Sequence, residues 1–98
     1  MQDTMPSDHK FMADLLAVLA SDGTEDRQIA DARTLAETYA ADLQAVSDPV
    51  HARRCLLDTH SAVVAEQKQR RSHSRHWRIF EAAELVLGDA KIGARTSA

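Results

Sequence analysis

The residues best suited to binding chemistry lie between positions 68 and 78. This stretch, which we call the basic segment, has five basic residues, two histidines, the one tryptophan of the chain and no acidic residue. Arginine pairs well with carboxylates and phosphates because its planar guanidinium can donate two parallel hydrogen bonds. Arginine and tryptophan are also enriched among the residues that dominate protein–protein binding energies. We therefore expect the contact residues of a binding surface to be Arg70, Arg71, His73, Arg75, His76, Trp77 and Arg78.

Three interpretations of the basic segment compete. In the first, it docks on acidic protein, either the N-terminal half of its own chain or a separate partner. In the second, it binds nucleic acid, with its cations neutralising phosphates and Trp77 stacking on a base. In the third, it is a solvated helix face whose charges only keep the protein in solution. The formal charge of −3 argues against nucleic acid, since dedicated binders are usually basic overall. Protein docking is therefore the primary binding hypothesis, and a nucleic-acid-binding regulatory protein is the alternative.

Charge is distributed unevenly along the chain. Residues 1–48 hold ten acidic and three basic residues, whereas residues 49–98 hold five acidic and nine basic residues. This asymmetry predicts an interaction protein that uses two helical surfaces, an acidic N-terminal half and the basic segment. A regulator, an inhibitor or a chaperone-like adaptor would each fit this description.

The strongest candidate for metal or thiol chemistry is the pair His51 and Cys55. Their spacing of four residues places both on one side of a helix. A structural zinc site needs four ligands, however, and the chain has no second cysteine. The neighbouring cations Arg53 and Arg54 are expected to lower the pKa of the Cys55 thiol, although its apolar neighbours indicate a half-buried packing residue. We predict no metal site and no cofactor.

Patterns typical of enzymes are absent from the sequence. Asp58, His60 and Ser61 lie close together in sequence, but helical neighbours point about 100° apart, so the three side chains would diverge. The chain also has no glycine-rich phosphate loop and no paired-carboxylate signature. We therefore predict a protein that is not an enzyme.

The elements that must position these residues are predicted to be helices. Glycine and proline are absent from 24–48 and from 50–87, and both stretches are rich in strong helix formers. The first helix is expected to begin after Pro6 with Ser7 as its N-cap, and Gly23 is expected to stop it. Thr24 is the expected cap of the second helix, and Asp48 with Pro49 is the expected start of the third. The short turn at 47–49 predicts that the second and third helices are antiparallel neighbours.

Apolar periodicity identifies the predicted core faces. In the second helix the spacing is that of a heptad stripe, carried by Ile29, Ala32, Ala36, Tyr39, Leu43 and Val46, with Leu35 beside it. The third helix is expected to bury Val50, Leu56, Leu57, Val63 and Val64. The pattern fails between 66 and 75 and then resumes at Trp77, Ile79, Phe80, Ala83, Val86 and Leu87. Residues 49–87 are therefore either one helix of about 55 Å or two helices separated near Ser72 to Ser74, and the balance favours a break.

The fold expected from these patterns is an all-α bundle of three or four helices with a long third helix or a helix pair. The stripe at 74–87 must fold back on the first two helices or cover a second chain, and on this ground we predict a homodimer. We expect a flexible N-terminus at 1–6, a single helical domain at 7–88 and a flexible tail at 89–98. The chain has no long apolar run and no basic N-terminal leader, and its single cysteine cannot form an internal disulfide. These features favour a cytoplasmic protein without a membrane span.

Overall fold

The fold of the chain is entirely helical in the part that the structure describes. A computed structural model describes residues 8–46 and 48–96, with side chains up to Ala90. It contains four helices, α1 (Asp8–Ala20), α2 (Glu25–Val46), α3 (Pro49–Lys68) and α4 (Arg75–Thr96), and these residues form no strand. The prediction of an all-α bundle is confirmed at this level. The predicted flexible N-terminus and the predicted cap Ser7 lie outside the described residues.

Three of the helix starts follow directly from local sequence. The backbone N–H of Arg27 donates to Thr24 Oγ1 at 3.1 Å, and that of His51 donates to Asp48 Oδ1 at 2.9 Å. The N–H of Trp77 donates to Ser74 Oγ at 3.2 Å, so a serine also caps α4. Each side-chain oxygen satisfies an N–H that the first turn of a helix leaves unpaired. The predicted break near Ser74 is confirmed.

One predicted helix end is wrong, and the structure shows how far the last helix extends. Helix α1 ends at Ala20, and Gly23 does not adopt the left-handed conformation of a glycine stop, since no described glycine has a positive φ. Helix α4 does not end at Gly88 but continues to Thr96, so the boundary predicted between domain and tail falls inside a helix. The carbonyl oxygens at the end of α1 accept hydrogen bonds from side chains instead.

The core lies where α4 packs along both α2 and α3. Its buried apolar side chains come from all four helices: Phe11, Leu15, Ala32, Ala36, Tyr39, Ala40, Leu43, Ala52, Leu56, Val63, Ile79, Phe80, Ala83 and Leu87. Direct contact between α2 and α3 is sparse, so these helices meet mainly through α4. The predicted proximity of α2 and α3 rests on few direct contacts, among them the hydrogen bond between Tyr39 and Thr59. Both helices pack far more extensively against α4.

Most of the predicted core stripe of α2 is buried. Leu43 and the two alanines at 32 and 36 are fully enclosed, and the ring of Tyr39 stacks on Phe11 with centroids 4.9 Å apart. Val46 at the end of the helix is half-exposed, and Val50 at the start of α3 is 80% exposed, so the prediction that Val50 lies inside is wrong. The two valines flank the turn between α2 and α3, where no other helix covers them.

Helix α4 folds back onto the rest of the chain. Its stripe of Ile79, Phe80, Ala83 and Leu87 is buried against α2 and α3. The apolar stripe therefore needs no second chain to cover it, which removes the sequence argument for a homodimer. Across the described helices, none is both long enough and apolar enough to cross a membrane.

Candidate partner-binding surface

The basic segment forms the end of α3, the connection to α4 and the first turn of α4. The connection begins with two backbone hydrogen bonds that close the end of α3, from Gln69 N to Glu66 O at 3.2 Å and from Arg70 N to Gln67 O at 3.0 Å. His73 then adopts a left-handed backbone conformation with φ of 64°. That conformation costs a residue with a side chain about 1–2 kcal/mol. The connection thus holds one strained residue at the centre of the basic segment.

Arg75 is tied to the other side of the bundle. Its Nε donates to Gln28 Oε1 at 2.6 Å, and its Nη2 donates to the carbonyl oxygen of Gly23. Arg78, one turn later, pairs with Glu25 at 3.1 Å. These contacts join the start of α4 to the turn between α1 and α2. The guanidinium of Arg75 therefore acts within the fold.

Arg70 is also paired inside the chain. Its Nη1 lies 2.7 Å from a carboxylate oxygen of Glu66 and 3.1 Å from the Glu66 carbonyl. The guanidinium carbon lies 4.7 Å from the ring centroid of Phe80, in the geometry of a cation–π contact. The side chain of Arg70 is only 24% exposed, so most of it is covered by the protein.

Gln28 is a functional element of the fold that sequence reasoning missed. It is 1% exposed, and its amide nitrogen donates to the carbonyl oxygens of Val18 and Ser21, each at 2.9 Å. These carbonyls belong to the end of α1, where the helix leaves acceptors unpaired. Its amide oxygen accepts from Arg75. The only signal in the sequence was its position next to the apolar stripe of α2, where a polar residue is normally assigned to solvent.

The remaining basic and histidine side chains of the basic segment face outward. Lys68, Arg71 and His76 are exposed, and their side chains form no hydrogen bond or ion pair with any described residue. His73 is exposed too, and its ring lies over Trp77 with centroids 4.7 Å apart, while its Nδ1 lies 2.9 Å from Ser72 Oγ. The structure thus divides the seven predicted contact residues into two groups. Arg70, Arg75 and Arg78 are engaged within the chain, whereas Arg71, His73 and His76 are presented to solvent beside the half-buried Trp77.

A groove with a volume of about 210 Å³ lies between α2 and α4, next to these exposed residues. Apolar side chains and charged side chains both line it: Ile29, Arg33, His73, Trp77, Arg78, Glu81, Ala82 and Leu85. Small-molecule sites usually measure about 300–1,000 Å³. The groove is therefore of a size to take a side chain of another protein segment.

The acidic half of the chain is mostly exposed on α1 and α2, but part of its charge is already paired. Asp14 contacts Lys10 at 2.8 Å, and Glu25 contacts Arg78 at 3.1 Å. Asp22, Asp26, Glu37 and Asp42 are exposed and form no ion pair with a described residue. Only one ion pair, Arg78–Glu25, connects the basic segment to the acidic half in the described residues.

The thiol of Cys55 lies 3.5 Å from His51 Nε2, so the prediction that both residues share one side of α3 is confirmed. The expectation that cations lower the pKa of Cys55 is wrong. Partial burial raises it, and the carboxylates of Asp58 and Asp8 raise it further, while Arg54 opposes them only weakly. Burial removes water from the thiolate, and negative neighbours repel it.

The other histidine in α3 connects two helices. His60 Nε2 lies 3.0 Å from Glu84 Oε2 on α4, and both side chains are mostly buried. Its sequence neighbours Asp58 and Ser61 are exposed and do not share this contact. Within residues 8–46 and 48–90, no three side chains of histidine, cysteine, aspartate or glutamate come together in a way that could hold a metal ion.

Comparison of the chain with models of protein families, with characterised proteins and with solved structures gives no match.

Proposed function

We propose that this protein is a non-enzymatic helical interaction protein that docks an acidic segment of a protein partner through the exposed part of its basic segment. A regulator, an inhibitor or a chaperone-like adaptor would work in this way. The observation that carries the proposal is that the side chains of the basic segment divide into a group paired within the chain and an exposed, unpaired group. Lys68, Arg71 and His76 stay exposed and unpaired among the described residues, although unpaired carboxylates are available on α1 and α2.

The fixed backbone of the connection between α3 and α4 supports the same interpretation. His73 holds a left-handed conformation at an exposed position, where a strained residue is more often kept for recognition than for stability. The connection that carries it is fixed at both ends, by the closing bonds of α3 and by the cap of Ser74. A fixed surface loses little conformational entropy on binding. The acidic half supplies a second surface of opposite charge that would orient an incoming partner.

Nucleic acid fits the exposed residues less well than an acidic protein does. One face of Trp77 is covered by the ring of His73, with centroids 4.7 Å apart, which leaves less of the indole for stacking on a base. Arg70 and Arg75 already have partners inside the chain, so fewer guanidinium groups remain to contact phosphates. The unpaired carboxylates of α1 and α2 would also repel a polyanion.

The proposal includes the cellular compartment in which the protein acts. Cys55 is a free thiol, which is usual for proteins of the cytoplasm, where disulfides are rare. We therefore place the proposed docking in the cytoplasm.

The deciding experiment compares two matched triple variants as affinity baits for proteins of the host cell. K68A/R71A/H76A removes the exposed, unpaired basic and histidine side chains of the basic segment, and H9A/R53A/R54A removes one histidine and two arginines at exposed positions elsewhere. Wild type and the second variant should capture the same partner, while the first should bind it about tenfold more weakly at low salt. Equal binding by both variants would contradict the proposal.

Titration with duplex DNA, single-stranded DNA and RNA tests the alternative. Binding in the micromolar range that weakens steeply with added salt and is lost in K68A/R71A/H76A would replace protein docking by nucleic-acid binding. No binding at low salt would exclude the alternative.

A further inference from the structure

The groove between α2 and α4 combines a protruding apolar side chain with an apolar depression. Leu85 is 57% exposed, the largest exposed fraction of any described large apolar side chain on α4. Beside it, Ile29 and Trp77 are half-buried and Ala82 is buried, so they form the floor of the groove. A leucine next to a depression of side-chain size provides both a protruding apolar side chain and a recess that could receive one.

The groove also carries two unpaired charges of opposite sign. Arg33 of α2 is exposed and Glu81 of α4 is partly buried, and neither forms an ion pair with a described residue. An acidic segment placed in the groove would meet Glu81, and a basic segment would meet Arg33. A surface that carries both signs can instead be complementary to itself, because a two-fold axis that passes between the two positions places each charge of one copy near the opposite charge of the other.

We infer that this groove is the interface of a homodimer, in which each copy inserts Leu85 into the groove of the other. Trp77, Glu81 and Leu85 are spaced four residues apart and share one face of α4, which extends about 12 Å along the helix. When two such faces pair antiparallel, the leucine end of each meets the tryptophan end of its partner. Glu81, midway along this face, then lies near Glu81 of the other copy at the two-fold axis. Arg33 of each copy lies beside the Glu81 of its partner and offsets the repulsion between the two carboxylates.

This inference goes beyond the proposed docking of an acidic partner and does not depend on it. The docking proposal uses Lys68, Arg71 and His76, none of which lines the groove. Dimer formation would leave these three side chains available. The two proposals can therefore fail separately.

The first test is the mass of the full chain as a function of concentration. A single helix-pair interface is at the small end of specific interfaces, so we expect a dissociation constant of about 10–100 μM. Sedimentation or light scattering should show the mass rising from 10.8 kDa toward twice that value. L85D should weaken association about tenfold or more because it places a carboxylate in the apolar contact. The matched control V50D, at an exposed valine outside the groove, should leave it unchanged.

The second test uses charge exchange between copies. R33E alone brings two glutamates together at each contact, and E81R alone brings two arginines together, so each variant should associate about tenfold more weakly. An equimolar mixture should recover dimers, because residue 33 of one variant then faces an opposite charge at residue 81 of the other. No rearrangement within a single chain can produce recovery on mixing. Circular dichroism confirms that every variant is folded.

Three outcomes would overturn the inference. They are a mass of 10.8 kDa at all concentrations up to about 1 mM, association that L85D leaves unchanged, and a mixture of R33E and E81R that remains as monomeric as its components. A monomeric wild-type protein would leave the proposed docking of an acidic partner intact, and that docking is tested by K68A/R71A/H76A.

Discussion

Arg75 donates a hydrogen bond from its Nε to the side-chain oxygen of Gln28, 2.6 Å away and 47 residues earlier in the chain. Gln28 in turn donates to the carbonyl oxygens of Val18 and Ser21 at the end of α1. One buried amide therefore joins the end of α1, the body of α2 and the start of α4. The arginine that the sequence offered as a contact for a partner is a contact within the protein.

Replacing Gln28 by leucine should destabilise the protein by about 2–4 kcal/mol, because the change leaves Arg75 and the carbonyls of α1 unsatisfied. Urea denaturation measures this loss. Q44L, at an exposed position of the same helix, is the control and should change the free energy of unfolding by less than about 0.5 kcal/mol. The double variant Q28L/R75A should cost less than the sum of its single changes, since the two side chains share a hydrogen bond. Equal costs for Q28L and Q44L would contradict this role of Gln28.

Tyr39 and Thr59 form the one buried side-chain hydrogen bond between α2 and α3 in the described residues, at 2.9 Å. Y39F should cost about 1–2 kcal/mol, because it leaves the fully buried threonine hydroxyl without its partner. Adding T59V should cost little more, since an apolar side chain of the same shape needs no partner. Thermal or urea unfolding of Y39F, T59V and the double variant measures the coupling energy between the two side chains. Strictly additive losses of stability would contradict the coupling.

The same tyrosine predicts how stability changes at alkaline pH. Burial raises the pKa of Tyr39 above its ordinary value of 10.0, and the hydrogen bond to Thr59 opposes this only in part. The folded protein therefore holds the phenolic proton more tightly than the unfolded chain does. The stability that the protonated Tyr39 contributes to the fold is complete below the ordinary pKa and is lost as the pH rises toward the pKa of the folded state. Denaturation between pH 9 and pH 11 should show a steeper loss of stability for wild type than for Y39F, and parallel curves would refute the prediction.

Gly88 lies inside α4, and an alanine there should stabilise the protein. A Cβ at this position would lie 3.6 Å from His60 Nε2 and 3.9 Å from Glu84 Oε2, which is ordinary contact distance. Alanine in a helix is favoured over glycine by about 0.5–1 kcal/mol. G88A should therefore raise the midpoint of unfolding, whereas G23A, outside the helices, should not. A lower midpoint for G88A would mean that the contact between His60 and Glu84 leaves no room for the added methyl group.

The thiol of Cys55 should react slowly with alkylating reagents at pH 8. Its raised pKa keeps more of it in the unreactive protonated form than in an unperturbed cysteine. The rate of reaction with iodoacetamide can be compared between the folded protein and the same protein in concentrated guanidinium chloride. We expect the unfolded chain to react faster, and R54A to slow the folded protein further because Arg54 favours the thiolate. Equal rates in the folded and unfolded states would show that the site does not perturb the thiol.

Local rules predicted most of the helix framework. The caps Thr24, Asp48 and Ser74 act through atoms at most three residues away, so their residue types were sufficient to place the helix starts. Periodicity likewise placed Leu43 and Phe80 in the core. The predicted stop at Gly23 was wrong, since α1 ends at Ala20 and its last carbonyl oxygens accept hydrogen bonds from Gln28, a residue of the next helix that local rules do not consider.

The contacts that define the candidate site depend on positions far apart in the chain. A run of cations does not show which of them meet a carboxylate or a carbonyl, and Arg75 and Arg78 find theirs 47 and 53 residues away. Arg71 and His76 keep the role that the sequence suggested only because no such partner lies near them in the described part of the chain. The groove beside them also joins side chains of α2 and α4, so it exists only once α4 has folded back.

Helix α4 provides the main contact for both α2 and α3, and it is the last of the four to leave the ribosome. The first three helices have little surface on which to pack until it arrives. During synthesis, their apolar faces are therefore expected to stay open to water and to chaperones. A protein shortened after Lys68 should be aggregation-prone and rapidly degraded, because the segment that encloses its interior has been removed.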